Sequence, residues 1–330
     1  MKISVLGSGS WGCALAQILV RNGHEVVLWG IDETEVKDIN ENHMNSRYFK
    51  DVKLDERLSA TTDLSMIQNS EAILLAVPSI AIDDVMSKAD KYCEEPFYVI
   101  NVAKGFHPVT HERMSEVIKR AVSKEKLRDV VSLIGPSHAE EVVIGLLTCV
   151  NAVCENEDSA RVIQEMFSND VFRVYRNTDV IGAEIGVALK NVMAIASGVL
   201  TGLGQGDNAR AALMTRGLAE IARYGISMGG KPETYLGLDG VGDLIVTCTS
   251  VHSRNFTAGL QIGKVDSAVE FLANNKKTVE GIRCAKVVYE EAQKRGISMP
   301  ITNEVYHVLF EGKKPSVAMV DLMNRELKAE

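Results

Sequence analysis

The chain has 330 residues, which is more than one hydrophobic core usually holds, so we expect two domains. Its hydrophobic fraction of 46% and charged fraction of 24% are those of a globular protein and exclude low-complexity disorder. The formal net charge is -8 and no long run of Lys or Arg is present, which excludes nucleic acid as the main partner because that affinity comes from clustered cations.

Neither a secretory leader nor a membrane span is expected. The first residues pass directly into a strand pattern, and no stretch approaches the ~18 uninterrupted apolar residues of a span. The six cysteines are scattered without a C-x-x-C pair, which is typical of reduced thiols in a core. We therefore expect a soluble, cytoplasmic protein without a metal site.

The first half of the chain alternates short β-branched runs with amphipathic stretches. Near-continuous apolar strands separated by helices predict an α/β domain whose parallel sheet is doubly wound, with helices on both faces. The predicted strands are residues 2–6, 25–29, 58–62, 71–77, 97–103 and 130–134.

The composition changes after the run VFRVYRN at residues 171–177. Beyond it the chain consists of helical stretches interrupted by Gly-rich turns, beginning with DVIGAEIGVALKNVMAIASGVL. We predict an α/β domain over residues 1–177 and an all-helical domain over residues 178–330.

The opening segment contains the G-x-G-x-x-G spacing in GSGSWG. It follows a predicted strand, begins a predicted helix and precedes a second strand, which is the context that a Rossmann dinucleotide site requires. Gly7 allows the tight turn, Gly9 lets the backbone approach a pyrophosphate, and Gly12 lets the helix pack against the strand. The N–H groups at the helix start then face the phosphates.

The residues after the second strand bear on the choice between NAD and NADP. An acidic residue there accepts hydrogen bonds from a ribose 2′-hydroxyl, whereas an Arg pairs with a 2′-phosphate. The segment from Trp29 to Glu33 contains no cation. Asp32 is either the hydroxyl acceptor or the N-cap of the next helix. Because Asp32 and Glu33 would both repel a 2′-phosphate, we favour NAD over NADP.

Polar residues follow two later strands. Lys104, in NVAKGF, lies just past a strand, and ligands of open α/β sheets collect beyond the carboxyl ends of strands. Ser137, in GPSHAEEV, either contacts a ligand or caps a helix.

Three polar groups interrupt the apolar pattern of the second domain. Lys190 and Asn191 lie within a helix of small and apolar residues, where a Lys is costly unless it is paired or titrates; the alternative is a surface Lys. Asp243 lies among glycines in GLDGVGD. Ser253-Arg254-Asn255 precede an apparent helix, which suits phosphate binding, although Arg254 alone is also compatible with a solvated loop.

Taken together, these motifs resemble the NAD(P)-dependent glycerol-3-phosphate dehydrogenases of the soluble bacterial type, over essentially the whole chain. The segments that carry the resemblance, in the family's order, are GSGSWGCALA, VAKGF, GPSHAEEV, LKNVMAIASGVLTGLGQGDNARAAL, GLDGVGDLIVTCTS and SRNF.

The resemblance implies an enzyme that reduces dihydroxyacetone phosphate to sn-glycerol 3-phosphate for phospholipid biosynthesis. It makes Lys190 the general acid/base, with Asp243 as its polar neighbour. The implied substrate contacts are Lys104, Gly135, Ser137, Lys190, Asp243, Ser253, Arg254 and Asn255. The implied cofactor contacts are Gly7, Gly9, Ser10, Trp11, Gly12, Ile31, Asp32, Lys104, Ala139, Arg254, Thr278 and Glu280. Many bacterial members carry Arg or His where this chain has Ile31, which bears on the use of NADP.

Two other functions remain open from the sequence. One is another dehydrogenase of the 6-phosphogluconate or β-hydroxyacid type, and the other is a non-catalytic nucleotide-sensing module, since a fold alone does not establish activity. Helical second domains of this kind often pair, so we expect a homodimer without membrane insertion.

Overall fold

The structure is a computed structural model that describes residues 1–275, 278–327 and 329. The chain separates into two compact units, Met1–Val180 and Ile181–Glu330, hereafter units 1 and 2. Five of the six cysteines are buried and Cys149 is half-buried, and all six are free thiols.

Unit 1 is built on an eight-stranded sheet with the strand order β10-β9-β8-β7-β6-β1-β2-β5, and β3 and β4 form a separate antiparallel pair. The strands are β1 (Lys2–Leu6), β2 (Glu25–Trp29), β3 (Met44–Asn45), β4 (Phe49–Lys53), β5 (Ser59–Thr61), β6 (Ala72–Leu75), β7 (Phe97–Asn101), β8 (Leu127–Ile134), β9 (Thr148–Val153) and β10 (Phe172–Asn177). Each of the six predicted strands has a counterpart among them.

The sheet is mainly parallel, as predicted, but one edge is mixed. β9 runs antiparallel to β8, and β10 runs parallel to β9, so these strands at one edge oppose the other six. Hydrophobic period does not encode strand direction, and a mixed edge on an otherwise parallel sheet is common among doubly wound folds.

Helices cover both faces of this sheet, as predicted. Alternating side chains of one strand enter opposite cores: in β6, Leu74 joins the core that contains Val5, whereas Ile73 and Leu75 join the core that contains Leu6. The helices of unit 1 are α1 (Ser10–Arg21), α2 (Glu33–Lys37), α3 (Ile82–Tyr92), α4 (Met114–Ala121), α5 (Ala139–Val143) and α6 (Glu157–Phe167).

The described part of unit 2 is helical. Its helices are α7 (Val180–Gly202), α8 (Asp207–Ser227), α9 (Pro232–Tyr235), α10 (Asp243–Thr249), α11 (Arg254–Lys264), α12 (Val269–Asn274), α13 (Glu280–Arg295), α14 (Pro300–Phe310) and α15 (Pro315–Met323). By length and apolar composition α7 would pass as a membrane span, but 94% of its most apolar 18-residue window is buried. That burial identifies α7 as a core helix of this unit.

A buried carboxylate joins two of these helices. Glu220 of α8 is 2% exposed and accepts hydrogen bonds from the N–H groups of Ile301 (2.7 Å) and Thr302 (3.2 Å) in the first turn of α14. The hydrogen bonds satisfy donors that a helix start leaves unpaired. Burial outweighs them and raises the pKa of Glu220 from 4.5 to about 7.

We expect Glu220 to make the free energy of unfolding depend on pH. A carboxyl whose folded pKa is raised stabilises the fold below its unfolded pKa, and that contribution is lost as pH rises through the folded pKa. Stability should therefore fall between about pH 4.5 and pH 7. Glu220→Gln should flatten this slope, as measured by urea unfolding at several pH values. The matched variant of exposed Glu233, Glu233→Gln, should keep the wild-type slope; an unchanged slope in Glu220→Gln would contradict the assignment.

Candidate functional site

The glycine-rich turn connects β1 to α1 in unit 1. Gly7 has φ +119°, a left-handed conformation that suits glycine, and its N–H donates to the Trp29 carbonyl at 2.9 Å. A Cβ added at Gly12 would lie 2.0 Å from the carbonyl oxygen of Gly7, so only glycine lets α1 approach the turn this closely. Gly9, the N-cap of α1, has no atom within 4 Å of an added Cβ. The turn is therefore closed around Gly12 and open above Gly9.

The first turn of α1 can hold an anion. Gly9 supplies no side-chain cap, so the N–H groups that a helix start leaves unpaired are not satisfied by a cap. The helix contains 12 residues, and its dipole favours a negative group at this end. Its first turn contains no acidic residue that would repel such a group. Ser10 and Trp11 are its first residues, and the buried indole Nε1 of Trp11 has no acceptor in the described part of the chain.

Of the two roles predicted for Asp32, the structure shows the N-cap of α2. Its Oδ1 accepts from the N–H of Thr34 (2.9 Å) and of Glu35 (3.4 Å) at the start of α2. Its Oδ2 accepts from Nη1 of Arg47 at 3.1 Å. Ile31, beside it, is 84% exposed. A cation therefore lies next to the acidic residue, although none is adjacent to it in sequence.

The other predicted residues of unit 1 lie at the same edge of the sheet as the glycine turn. Strands β1, β2, β6, β7 and β8 are mutually parallel, so their carboxyl ends meet at one edge. Lys104 follows β7 and is half-buried, and Gly135 follows β8. Ser137 does not cap a helix: its hydroxyl donates to the Gly135 carbonyl at 3.2 Å, and α5 begins at Ala139 with His138 as its N-cap.

Unit 2 places the predicted acid/base in a buried cluster. Lys190 of α7 is 2% exposed and Asp243 of α10 is fully buried. Their side chains form an ion pair, and Nζ of Lys190 also donates to Oγ1 of Thr247 at 2.9 Å. Thr247 in turn donates to the backbone carbonyl of Asp243 at 2.6 Å. The alternative of a surface Lys is therefore wrong.

This cluster holds a proton donor in a fixed position. A buried ammonium is costly unless it is paired and hydrogen-bonded, and Asp243 and Thr247 supply that compensation. Side chains held from two helices have little freedom, so the Nζ atom of Lys190 is preorganised. Such an amine can donate a proton to an oxygen and stabilise the negative charge that develops on it.

The Ser253-Arg254-Asn255 segment forms the start of α11. The hydroxyl of Ser253 caps the helix by accepting from the N–H of Phe256 at 3.2 Å. Arg254 is the first helical residue and is exposed. A cation thus lies at a helix N-terminus, the arrangement that suits a phosphate.

Asn255 is buried in a network instead of facing solvent. Its amide N–H donates to Oδ1 of Asn191 at 2.9 Å, and its Oδ1 accepts from the N–H of Gly281 at 2.9 Å. The network fixes the start of α11 against α7 and the start of α13. Glu280 is the first residue of α13 and Thr278 lies two residues before it, so the predicted cofactor contacts of unit 2 lie beside this network.

Sequence reasoning missed three residues of these sites, Thr247, Arg47 and Glu35. Thr247 lies four residues after Asp243, hence on the same helix face, and that spacing was the available signal. Asn191 was noticed, but its partner Asn255 lies 64 positions away. Arg47 and Glu35 were missed because nothing local in the sequence links them to Asp32. Among the described residues, no group of three or more His, Cys, Asp or Glu side chains could hold a metal ion.

Comparison with known proteins gives one consistent result. The two family models that match are described as the N-terminus and the C-terminus of NAD-dependent glycerol-3-phosphate dehydrogenase, over residues 2–160 and 179–320. A glycerol-3-phosphate dehydrogenase [NAD(P)+] of Staphylococcus epidermidis is 49% identical over 330 residues, 100% of this chain and 99% of the relative. One from Enterococcus faecalis is 47% identical over 100% of this chain and 97% of the relative.

Solved structures agree with these relatives. The crystal structure of glycerol-3-phosphate dehydrogenase from Coxiella burnetii has a TM-score of 0.90 and 35% sequence identity, and the match covers 98% of this chain and 99% of that one. The corresponding enzyme of Saccharomyces cerevisiae has a TM-score of 0.84 and 25% identity, covering 98% of this chain and 99% of that one.

Proposed function

The chain belongs to the NAD-dependent glycerol-3-phosphate dehydrogenase family, and we propose that it reduces dihydroxyacetone phosphate to sn-glycerol 3-phosphate with Lys190 as the proton donor. Membership confirms the predicted resemblance and makes the chain an oxidoreductase that uses NAD or NADP. The observation that carries the proposed mechanism is the buried cluster of Lys190, Asp243 and Thr247 in unit 2.

The turn after β1 fits the diphosphate of a dinucleotide. Gly9 leaves open space where any other residue would carry a Cβ, and the uncapped start of α1 offers N–H donors to it. A nicotinamide cofactor held there would supply the hydride. Lys104, Gly135 and Ala139, at the same edge of the sheet, are proposed to contact the bound ligands.

Lys190 performs the acid step in this proposal. When a hydride reaches the C2 carbonyl of the substrate, the oxygen becomes negative and needs a proton. The ammonium of Lys190 stabilises that charge and then donates the proton, which contributes a factor of ~10²–10⁴ to the rate. Asp243 and Thr247 orient the amine throughout.

Arg254 and the start of α11 bind the phosphate end of the substrate in this proposal. A guanidinium and helix N–H donors suit a dianion, and their binding energy orients the reacting carbon. Asn255 holds the segment in place through Asn191 and Gly281.

We expect Arg254→Ala to raise KM for dihydroxyacetone phosphate by about tenfold, because one charge-assisted interaction with the phosphate is lost. Steady-state kinetics with the substrate varied at saturating NADH measures this effect. Arg283→Ala, which alters another exposed arginine of unit 2, serves as the control. Equal KM values in Arg254→Ala and the wild type would contradict the phosphate assignment.

The proposed function is tested by the decrease in absorbance of the reduced nicotinamide on addition of dihydroxyacetone phosphate, with NADH and NADPH in separate reactions. A panel of 2-keto acids with NADH or NADPH, and of 3-hydroxy acids with NAD or NADP, distinguishes the 6-phosphogluconate and β-hydroxyacid dehydrogenases. Turnover of dihydroxyacetone phosphate alone is the expected result. Binding of NADH without turnover of any substrate would favour the nucleotide-sensing module and contradict the proposal.

We further propose that the protein is a cytoplasmic homodimer that supplies glycerol 3-phosphate for phospholipid biosynthesis. An apolar groove of about 1030 Å³ lies among α7, α8, α14 and α15. Helix α15 exposes Val317 (45%), Val320 (48%) and Met323 (80%), of which Val320 and Met323 line the groove. Pairing of two copies would cover such apolar side chains. Light scattering should give twice the chain mass of 36.0 kDa; a mass of one chain at micromolar concentration would contradict the dimer.

A further inference from the structure

Arg47 lies beside the acidic residues that follow β2, although it is distant from them in sequence. It is in the loop that joins β3 to β4, and this strand pair returns the chain to the start of α2. Its Nη1 donates to Oδ2 of Asp32 at 3.1 Å and to Oε1 of Glu35 at 2.6 Å. The end of the second strand of a dinucleotide fold is where the adenosine ribose is bound. A cation is therefore present at the position that distinguishes a 2′-hydroxyl from a 2′-phosphate.

The three charged side chains at this position differ in their exposure to solvent. Glu35 is 7% exposed and its other oxygen, Oε2, accepts from the hydroxyl of Ser8 at 2.7 Å. The side chain of Asp32 is 39% exposed and that of Arg47 is 61% exposed. Arg47 thus compensates a buried carboxylate, while more than half of its own side chain is exposed. Without Arg47, the carboxylates of Asp32 and Glu35 would strongly repel a phosphate group. Such a group carries between about one and a half and two negative charges at neutral pH.

The guanidinium has donors left for a ligand. In the described part of the chain its ion pairs with Asp32 and Glu35 run through Nη1, whereas a guanidinium carries further N–H donors on Nε and Nη2 in a fixed planar fork. Such a fork suits the oxygens of a phosphate. The carboxylate of Asp32 suits a ribose hydroxyl. Its hydrogen bond from the N–H of Thr34, which caps α2, already holds this carboxylate in place.

We propose that Arg47 is the residue that lets this site accept the 2′-phosphate of NADP, with Asp32 serving the 2′-hydroxyl of NAD. The inference rests on the proposed function, because it assigns a residue within the cofactor site of that function. It also modifies the preference for NAD that the segment Trp29–Glu33 suggested, since the repulsion by the acidic residues is offset from outside that segment.

The inference is tested by nucleotide fragments that differ in the 2′-phosphate, so that turnover is not needed. Calorimetry compares adenosine 2′,5′-bisphosphate with adenosine 5′-phosphate in the wild type and in Arg47→Ala. The ratio of the two affinities should fall about tenfold or more in the variant, as expected for loss of a hydrogen bond to a charged group. Arg47→Lys, which keeps the charge and loses the planar fork, should give an intermediate ratio.

A matched control is available in the same unit. Arg57 is as exposed as Arg47, at 62%, and is likewise paired with an aspartate, Asp55. Arg57→Ala should leave the affinity ratio at its wild-type value. A fall in the ratio of kcat/KM for NADPH to that for NADH in Arg47→Ala, parallel to the calorimetric ratio, is the expected kinetic result.

Two outcomes would overturn the inference: a ratio in Arg47→Ala that equals the wild-type ratio, or a wild type that binds neither fragment. An unchanged ratio with an equal fall in both affinities would mean that Arg47 only neutralises Glu35 and supports the fold. Failure of the proposed function is a separate result, because it is seen as absence of NADH oxidation with dihydroxyacetone phosphate in the wild type, whatever the fragment ratio.

Discussion

Replacing Lys190 with alanine should lower kcat by ~10²–10⁴-fold while the affinity for NADH stays close to that of the wild type. The expected loss follows from the position of the amine: it is buried, ion-paired with Asp243 and hydrogen-bonded to Thr247, and the substitution to alanine removes this positioned proton donor. Stopped-flow or steady-state kinetics give kcat, and quenching of tryptophan fluorescence gives the NADH affinity.

The control for this experiment must separate chemistry from stability. Lys190→Ala leaves the Asp243 carboxylate buried without its ion-pair partner, which costs about 3–5 kcal/mol. The double variant Lys190→Met with Asp243→Asn removes both charges and should recover much of that stability without recovering kcat. Lys264→Ala, an exposed lysine of α11, should behave as the wild type. Near-wild-type turnover by the stable double variant would remove Lys190 from the mechanism.

Two alanine substitutions in the glycine turn should differ in their effect on the free energy of unfolding. Gly12→Ala places a Cβ 2.0 Å from a backbone oxygen and 3.1 Å from the side chain of Ala76, so we expect a loss of about 1–3 kcal/mol or more in the free energy of unfolding. Gly9→Ala meets nothing within 4 Å, so its unfolding free energy should change by about 1 kcal/mol or less.

The two variants should also differ in cofactor binding. The methyl group of Gly9→Ala would occupy the space in which the backbone approaches a pyrophosphate, and loss of two charge-assisted hydrogen bonds there would weaken binding about a hundredfold. Urea unfolding without nucleotide and fluorescence titration with NADH measure the two effects separately. A Gly9→Ala protein that binds NADH as tightly as the wild type would show that the diphosphate does not lie against this turn.

Much of unit 1 could be predicted because its signals are local. Strands such as Lys2–Leu6 and Glu25–Trp29 follow from runs of β-branched residues, and the glycine spacing specifies the turn that connects β1 to α1. Strand direction could not be predicted in the same way. Thr148–Val153 is an apolar strand whose pattern suits either direction, and only its pairing with β8 makes it antiparallel.

In the candidate sites, too, single residues could be selected from their local sequence context, but the contacts between them could not. Lys190 and Asp243 could be selected one by one because each is a charged residue in an apolar or glycine-rich context, but their contact depends on how α10 packs against α7. Arg47 could not be selected at all. Its relation to Asp32 depends on the β3–β4 pair, whose short strands show no clear alternation of apolar and polar residues.

The proposed mechanism requires the amine of Lys190 to reach the oxygen on C2 of the substrate. A crystal structure of the protein with NAD and sn-glycerol 3-phosphate bound together would show this contact. We expect Nζ of Lys190 to lie within roughly 2.6–3.2 Å of the C2 hydroxyl oxygen, or to reach it through one water molecule. A complex in which that oxygen is hydrogen-bonded to another side chain, with the amine of Lys190 still enclosed by Asp243 and Thr247 and out of reach, would contradict it.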